Sequence, residues 1–472
     1  MRNRLILVAV MPMASAVQFA CANAPEDYRA QPPDPELLHA AMHQLTGVIV
    51  YDIFSPPQSS RAYAYASVAA YEAIRHDHPA YRTLADQLNG LAPVPAPESD
   101  SEYYLPLASV HAFMTVGRAL TFSQERMDSL RSVMHERFRG MGIPAPVFER
   151  SITYGDQVAQ HILAWASEDH FKQTRGSPKY TVTSEPGQWV PTPPAYMDAV
   201  EPSWAKLRPF VLDSSSQFSP PPPLGFDMTE GSPFFRQVKE VFEVGRNLTD
   251  EQRAIAAFWD CNPYVMHVRG HAMFATKKIS PGGHWMGITA IAAREADADL
   301  MQSAEAYART AIALADAFIS SWDEKFRSNL VRPETVINRH LDESWQPLLQ
   351  TPPFPEYTSG HSVISTAAAT VLTDQFGTGF DFVDTAEEEY GLPARTFPSF
   401  EAAAAEAAIS RLYGGIHYRM AIEEGVHQGR NVGKLVLERV QTRAIESAPA
   451  YTAAGGAEQR SDGSSPSPSS GY

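Results

Sequence analysis

The sequence contains few cysteines and few long apolar segments. Only Cys21 and Cys261 occur among 472 residues. Removal of an N-terminal segment that carries Cys21 would leave Cys261 alone, and an intrachain disulfide would then be excluded. Beyond the N-terminus, no segment approaches a run of about 18 apolar residues, so we expect no transmembrane span in the mature chain.

Positive charge is also scarce. The chain has 38 Lys and Arg residues against 54 Asp and Glu residues, which gives a formal net charge of -16. Such a chain repels the phosphate groups of nucleic acids and of anionic lipids, and no basic cluster offsets this, so neither is an expected partner. Hydrophobic residues, in contrast, make up 44% of the chain. This content is sufficient for a folded core.

The first 24 residues have the layout of a secretory signal peptide. Two arginines precede an apolar stretch that ends in the small residues Ala-Asn-Ala. We therefore expect export to the periplasm or the medium. Lipid attachment through Cys21 is an alternative, although the preceding Gln-Phe-Ala fits a lipoprotein signal poorly. A short N-terminal membrane anchor is a further alternative.

Helical periodicity dominates the rest of the chain, and we predict a single all-α catalytic domain at residues 25–445, built from packed helical bundles. Apolar residues recur at three- and four-residue spacing over about 35–171 and again over about 233–443. Between these regions, a proline-rich stretch at about 184–226 predicts a long loop. The last residues, 446–472, are of low complexity, and we expect them to be disordered.

Three separate segments carry cationic side chains or imidazoles next to predicted helix ends. Lys325 and Arg332 belong to the first segment, and the sequence Thr-Ser-Gly-His at 358–361 opens a helix in the second. In the third, Arg411 lies at the end of a helix and His417 follows a diglycine. Each segment alone has an ordinary explanation: a solvated basic face, a helix N-cap, or a buried arginine paired with a nearby carboxylate and followed by a surface histidine.

Taken together, these groups fit a tetrahedral or trigonal-bipyramidal oxyanion. Guanidinium groups grip oxygen atoms bidentately, a lysine adds a point charge, and a helix N-terminus contributes N–H groups. Of two histidines, one can bond to the central atom while the other transfers protons. The pattern therefore indicates an oxyanion pocket assembled from distant parts of the chain.

The order and spacing of these residues resemble a known family. Lys-x6-Arg-Pro at 325–333, Ser-Gly-His at 359–361 and Ser-Arg-x5-His at 410–417 are similar to the three-part signature of the vanadium-dependent haloperoxidases and the related acid phosphatases. The signature covers about a hundred residues of this chain, and the remaining resemblance is its helical character.

This resemblance implies vanadate as the cofactor, with hydrogen peroxide, halide and a small organic molecule as substrates. Vanadium would be bound by His417, and peroxide bound to it would be polarised by Lys325 before halide attack releases hypohalous acid. His361 would be the acid or base. The residues implied to hold the vanadate oxygens are Lys325, Arg332, Ser359, Gly360 and Arg411.

The chain departs from the family pattern at two positions. Thr358 stands where proline usually precedes the serine, and Ala421 stands where an aspartate commonly follows the last histidine. Without that aspartate, the sequence does not identify the group that orients His417. Glu423 and Glu424 are candidates for this role. An acid phosphatase with His417 as the phosphorus nucleophile is the alternative function, and a non-catalytic helical binding protein is a third.

Aromatic and acidic residues near the signature suggest further roles. Trp322 and Phe354 match positions where chloride-oxidising family members carry aromatic residues near the halide, although both are equally compatible with an ordinary core. Asp260 and Asp316 are candidates for the acid that pairs with a vanadate-binding arginine.

A group of histidines elsewhere in the sequence suggests an alternative hypothesis, a zinc site. His267 and His271 are four residues apart, and His284 follows. Such spacing is compatible with zinc, but the glutamate of a His-Glu-x-x-His pattern is missing. The favoured role for His284 is to support residues of the oxyanion pocket from behind or to contact the pocket itself.

Overall fold

The computed structural model describes residues 28–443 except Gln31 and Ser184. The predicted signal peptide at 1–24, with Cys21, and the predicted tail at 446–472 lie outside the described residues. Among the described residues, no helix combines the length and the apolar character needed to cross a membrane.

Helices form most of the described structure, which confirms the predicted all-α class. Six precede the proline-rich stretch: α1 (Glu36–Tyr51), α2 (Pro56–Ile74), α3 (Leu105–Ala119), α4 (Gln124–Gly140), α5 (Ala145–Ser167) and α6 (Phe171–Arg175). Eight follow it: α7 (Pro233–Arg246), α8 (Asp250–Phe258), α9 (Pro281–Glu295), α10 (Leu300–Ser328), α11 (Pro333–His340), α12 (Gly360–Phe376), α13 (Phe400–Tyr413) and α14 (Arg419–Arg439).

Among the described residues, two short antiparallel hairpins, which the helical sequence pattern does not predict, interrupt the helices. In the first, β1 (Val265–Arg269) pairs with β2 (Ala272–Thr276), and Val265 lies opposite Thr276. In the second, β3 (Phe382–Asp384) pairs with β4 (Arg395–Phe397). The first hairpin is largely exposed, whereas Phe382 and Asp384 of β3 are buried.

The long helix α10 lies at the centre of the bundle. It begins at a capping box, in which the Asp299 side chain accepts the N–H of Gln302 and the Gln302 amide oxygen accepts the N–H of Asp299. Nearly all its residues up to Lys325 are buried, and the helix packs against α2, α9, α12 and α14. Its many alanines allow this close approach, because their side chains fill little space between helices.

Helix α14 packs closely against α12, whose first turn carries the Ser-Gly-His sequence. The contact depends on three glycines spaced four residues apart, Gly425, Gly429 and Gly433. A Cβ atom at Gly429 would lie only 2.1 Å from the carbonyl oxygen of Val363, so no larger side chain fits. The glycines therefore set the position of the N-terminus of α12.

Candidate functional site

The N-terminus of α12 forms one wall of the site. Ser359 is the N-cap, and its buried hydroxyl accepts the N–H of Ser362 at 3.3 Å. Thr358, which replaces the family proline, donates its hydroxyl to Gln428 of α14 at 2.7 Å. Gly360 lies next to Lys325, because a Cβ atom at this glycine would be 3.8 Å from the Lys325 Cε.

Lys325 reaches the same wall from the last turns of α10. Its fully buried Nζ donates to the carbonyl oxygens of Pro355, Glu356 and Thr358. Burial, together with the nearby Arg332 guanidinium, holds the pKa of this lysine well below its usual value. The loop before α12 is thus fastened to α10 by one ammonium group.

Arg332 joins the first motif to the third. It is the residue before Pro333 at the start of α11, and its side chain is fully buried. Its Nε donates to the carbonyl oxygen of Phe354 at 2.9 Å, and its Nη1 lies 2.8 Å from the Ile416 carbonyl oxygen and 3.1 Å from the His417 Nε2. Its buried Nη2 has no partner among the described residues.

Glu356 orients His417, and the sequence analysis did not identify it. The Nδ1 of His417 lies 2.8 Å from the Glu356 Oε1, which also accepts the N–H of Tyr418 at 2.8 Å. With Nδ1 donating to the carboxylate, the lone pair of Nε2 is free to accept from Arg332 or to bond to a ligand. The two candidates from the sequence do not orient His417. Glu423 is exposed, and Glu424 lies 3.6 Å from His427.

A small cavity lies beside these groups, although Lys325, Arg332 and Ser359 are not part of its lining. Its lining includes Gly360, His361, Arg411 and His417. Arg411 is held by its Nη2, which donates to the carbonyl oxygen of Trp259 at 2.7 Å. The buried Nε2 of His361 has no hydrogen-bond partner among the described residues.

Burial and nearby positive charge both disfavour protonation of the two imidazoles. Burial lowers the pKa of His361 and of His417 well below the usual value, and the guanidinium groups of Arg411 and Arg332, respectively, lower it further. Burial also raises the pKa of the Glu356 carboxyl to about 7. A pocket with three buried cations and two neutral imidazoles has an excess of positive charge.

The donor set fits vanadate. An unsatisfied buried donor costs about 1–3 kcal/mol, and the Arg332 Nη2 is such a donor. An oxyanion would satisfy it and would be neutralised by the Lys325 and Arg411 charges. Its central atom would bond to the His417 Nε2 in place of the hydrogen bond from Arg332. The first-turn N–H groups of α12 add further donors on the same side.

Trp322 and Phe354 lie at this cavity as well. Both line it, and their ring centroids are 4.9 Å apart. The Lys325 Nζ lies 5.2 Å from the centroid of the Phe354 ring. Their proposed role toward halide stays a prediction, since the geometry shows only that both rings reach the cavity.

The two candidate aspartates have different surroundings. Asp260 lines the cavity and pairs with Lys278, and its charge favours the charged form of Arg411. Asp316 accepts the N–H groups of three consecutive loop residues, Phe210, Val211 and Leu212. The prediction that Asp316 pairs with a site arginine is therefore wrong, because its carboxylate is used by backbone donors.

The alternative prediction of a zinc site formed by His267, His271 and His284 is wrong as well. His267 and His271 lie on the exposed β1–β2 hairpin, and the His267 Nε2 lies 2.8 Å from the Thr276 hydroxyl. His284 is fully buried in the first turn of α9, where it stacks on Trp259 with ring centroids 4.6 Å apart. The hairpin, which carries two of the three histidines outward, was not visible in the sequence pattern.

Comparisons with known proteins agree with this arrangement. A family model described as the VCPO second helical-bundle domain matches residues 305–445. A crystal structure of the first bacterial vanadium-dependent iodoperoxidase is 50% identical, with a TM-score of 0.84, over 88% of this chain and 99% of that chain.

More distant structures show the same fold. The holo and apo forms of a bacterial vanadium-dependent chloroperoxidase are each 18% identical to this chain, with TM-scores of 0.62 and 0.60. The alignments cover 82% and 80% of this chain and 93% and 92% of those chains. A comparison with curated proteins gave no match.

Proposed function

Because this chain belongs to the vanadium-dependent haloperoxidase family, we propose that the pocket between α10, α12 and the loop before α14 binds vanadate and catalyses halide oxidation. The family resemblance stated from the three sequence motifs is confirmed, and so are the haloperoxidase activity and the vanadate cofactor. The comparisons do not favour the phosphatase alternative. The assignment of roles to single residues is our proposal.

One observation supports this assignment most strongly. The Arg332 Nη1 lies 3.1 Å from the His417 Nε2, while Glu356 holds the opposite nitrogen of the same ring at 2.8 Å. The imidazole is thereby fixed with its free lone pair next to a buried guanidinium. A nitrogen ligand beside a positive charge is what a negatively charged oxyanion centred on a metal requires.

The remaining residues neutralise charge and hold oxygen atoms. Lys325, Arg332 and Arg411 offset the negative charge of the oxyanion, and Ser359 and Gly360 contribute at the N-terminus of α12. When bound, vanadate supplies Lewis-acid activation of hydrogen peroxide toward halide. The protein supplies a buried, preorganised set of donors around it.

His361 is the proton-transfer residue in this proposal. Its ring lines the cavity, and its Nε2 is buried without a partner among the described residues. Its pKa is held well below the usual value by burial and by Arg411, so the ring is neutral and can accept a proton from hydrogen peroxide. Lys325, next to Gly360, is placed to polarise the peroxide oxygen.

We propose iodide as the preferred halide. The relative that is 50% identical over nearly its whole length is an iodoperoxidase, whereas the chloroperoxidases are 18% identical and share only the fold. Trp322 and Phe354, which both line the cavity, are the aromatic residues that we propose to lie near the halide. We also propose that a small organic molecule accepts the oxidised halogen.

The test compares three halides on the vanadium-free protein before and after addition of vanadate. We expect peroxide-dependent oxidation of iodide to appear only with vanadate and to exceed that of bromide and chloride. A chromogenic phosphate ester is assayed in parallel. Ester hydrolysis that vanadate abolishes, without halide oxidation, would overturn the proposal.

Export is a separate proposal. The 24-residue segment with the layout of a signal peptide lies outside the described residues. The sequence pattern of this segment is therefore the support for export. N-terminal sequencing of the mature protein is expected to begin near residue 25. An intact N-terminus in the cell extract would contradict export.

A further inference from the structure

A second cluster of potential ligands lies behind the cavity wall. The Cys261 Sγ is 3.4 Å from the His284 Nδ1 and 3.4 Å from the Glu387 Oε1, and the latter two atoms are 3.2 Å apart. All three residues are buried. They come from three separate parts of the chain: the segment after α8, the first turn of α9 and the loop after β3.

The three distances match one face of a tetrahedral metal site. Zinc bonds of about 2.3 Å to sulfur and about 2.0–2.1 Å to nitrogen and oxygen place the ligand atoms roughly 3.3–3.6 Å apart. The observed separations lie at or just below this range. A thiolate, an imidazole and a carboxylate are also a ligand set that suits zinc better than magnesium or calcium, which prefer oxygen atoms alone.

The surroundings of His284 complete the pattern. Its Nε2 lies 2.8 Å from the Oδ2 of Asp384, whose side chain is fully buried. A carboxylate behind the ring orients Nδ1 toward the other two ligands, as in many zinc sites. Among the residues that the structure describes, no other group of three such side chains has its ligand atoms this close together.

We propose that Cys261, His284 and Glu387 bind a zinc ion, with Asp384 as the carboxylate that orients the histidine. The role of the ion is structural. It fixes the segment that contains Trp259, Asp260, Cys261 and Asn262, the last three of which line the cavity.

This segment also holds a residue of the oxyanion pocket. The Trp259 ring stacks on His284 at 4.6 Å, and the Trp259 carbonyl oxygen accepts from Arg411 at 2.7 Å. A metal ion bound behind Trp259 therefore supports the position of the Arg411 guanidinium. The zinc site does not depend on the identity of the oxyanion.

Metal content tests the proposal directly. Full-length protein is saturated with zinc, freed of unbound metal by gel filtration, and analysed by plasma mass spectrometry for zinc and vanadium separately. We expect one zinc per chain in the wild type, none in Cys261→Ala, and a full complement in the matched control His267→Ala, which removes an exposed histidine of the hairpin.

Cobalt substitution keeps the test valid if Cys261→Ala does not fold. Wild-type protein loaded with Co²⁺ is expected to show a thiolate-to-cobalt charge-transfer band, because only Cys261 among the described residues supplies a thiolate. Folded wild-type protein without this band and with no zinc above the level of Cys261→Ala would overturn the proposal. The cluster would then be held by S–H and N–H hydrogen bonds alone.

Discussion

Two buried histidines in this protein have the same kind of partner, but their pKa values are shifted in opposite directions. The Nδ1 of His417 lies 2.8 Å from Glu356, and the Nε2 of His284 lies 2.8 Å from Asp384. Burial lowers the pKa of both. Nearby cations, Arg332 first, lower the pKa of His417 further, whereas the Asp384 carboxylate and the Cys261 thiol outweigh burial and raise the pKa of His284 well above its usual value.

The comparison shows that the charge around a buried imidazole, more than burial itself, decides which ligand the site suits. Cations surround His417, so the site is complementary to an anionic ligand. Carboxylates and a thiol surround His284, so this site is complementary to a cation. Substitutions at one site are therefore expected to leave ligand binding at the other unchanged.

His417→Ala should abolish vanadate binding, because it removes the only nitrogen ligand proposed for vanadium. We expect affinity to fall more than about 100-fold, beyond the loss typical of outer-shell changes. His361→Ala should instead retain binding and mainly lower turnover. Calorimetric titration with vanadate measures the first effect, and steady-state iodide oxidation measures the second. Equal loss of binding in both variants would contradict the assigned roles.

Glu356→Gln should weaken vanadate binding by about 10–100-fold, the range for loss of a carboxylate that orients a ligating histidine. Titration calorimetry measures the change. The matched control is Glu423→Gln, which alters an exposed glutamate of α14 and should bind vanadate as the wild type does. Zinc content should not change in either variant, and wild-type vanadate affinity in Glu356→Gln would show that another group orients His417.

Gly429→Ala should disturb the oxyanion pocket and leave the zinc cluster intact. The added methyl group would lie 2.1 Å from the Val363 carbonyl oxygen, so α14 must move away from α12 at a cost of about 1–3 kcal/mol. Urea unfolding and vanadate titration measure the effect. Gly47→Ala in α1, where no atom lies within 4 Å of the new Cβ, is the control and should not be destabilising.

His361→Gln should reduce the loss of stability on acidification. The pKa of His361 is held well below its unfolded value of 6.5, so below pH 6.5 the unfolded chain binds a proton that the folded protein does not. Folding stability therefore falls as pH drops below 6.5, by up to about 1.4 kcal/mol per pH unit for one histidine. Urea unfolding at pH 5, 6 and 7 should show a shallower slope in the variant, and an unchanged slope would contradict a neutral His361.

The sequence predicted those features that depend on local pattern. The Thr-Ser-Gly-His sequence opens a helix as predicted, and α12 ends at Phe376 with Gly377 as its C-cap. Helix α10 lies within the predicted helical region and ends at Ser328, where Asn329 adopts a left-handed conformation. Capping boxes and glycines at helix ends are short-range signals, which explains this success.

Features that depend on long-range packing could not be predicted in the same way. Glu356 lies 61 residues before His417, and only the packing of α10, α12 and α14 brings them together. The one available signal was a single charged residue in the otherwise uncharged stretch before Ser359. Cys261, His284 and Glu387 span 126 residues, so their proximity had no signature in spacing.

We propose that one pocket holds vanadium through His417 among the Lys325, Arg332 and Arg411 side chains. An anomalous difference map from a crystal of the vanadate-soaked protein tests it most directly. We predict a vanadium peak at bonding distance from the His417 Nε2. A map with no such peak, or with vanadium bound away from His417, would contradict the account.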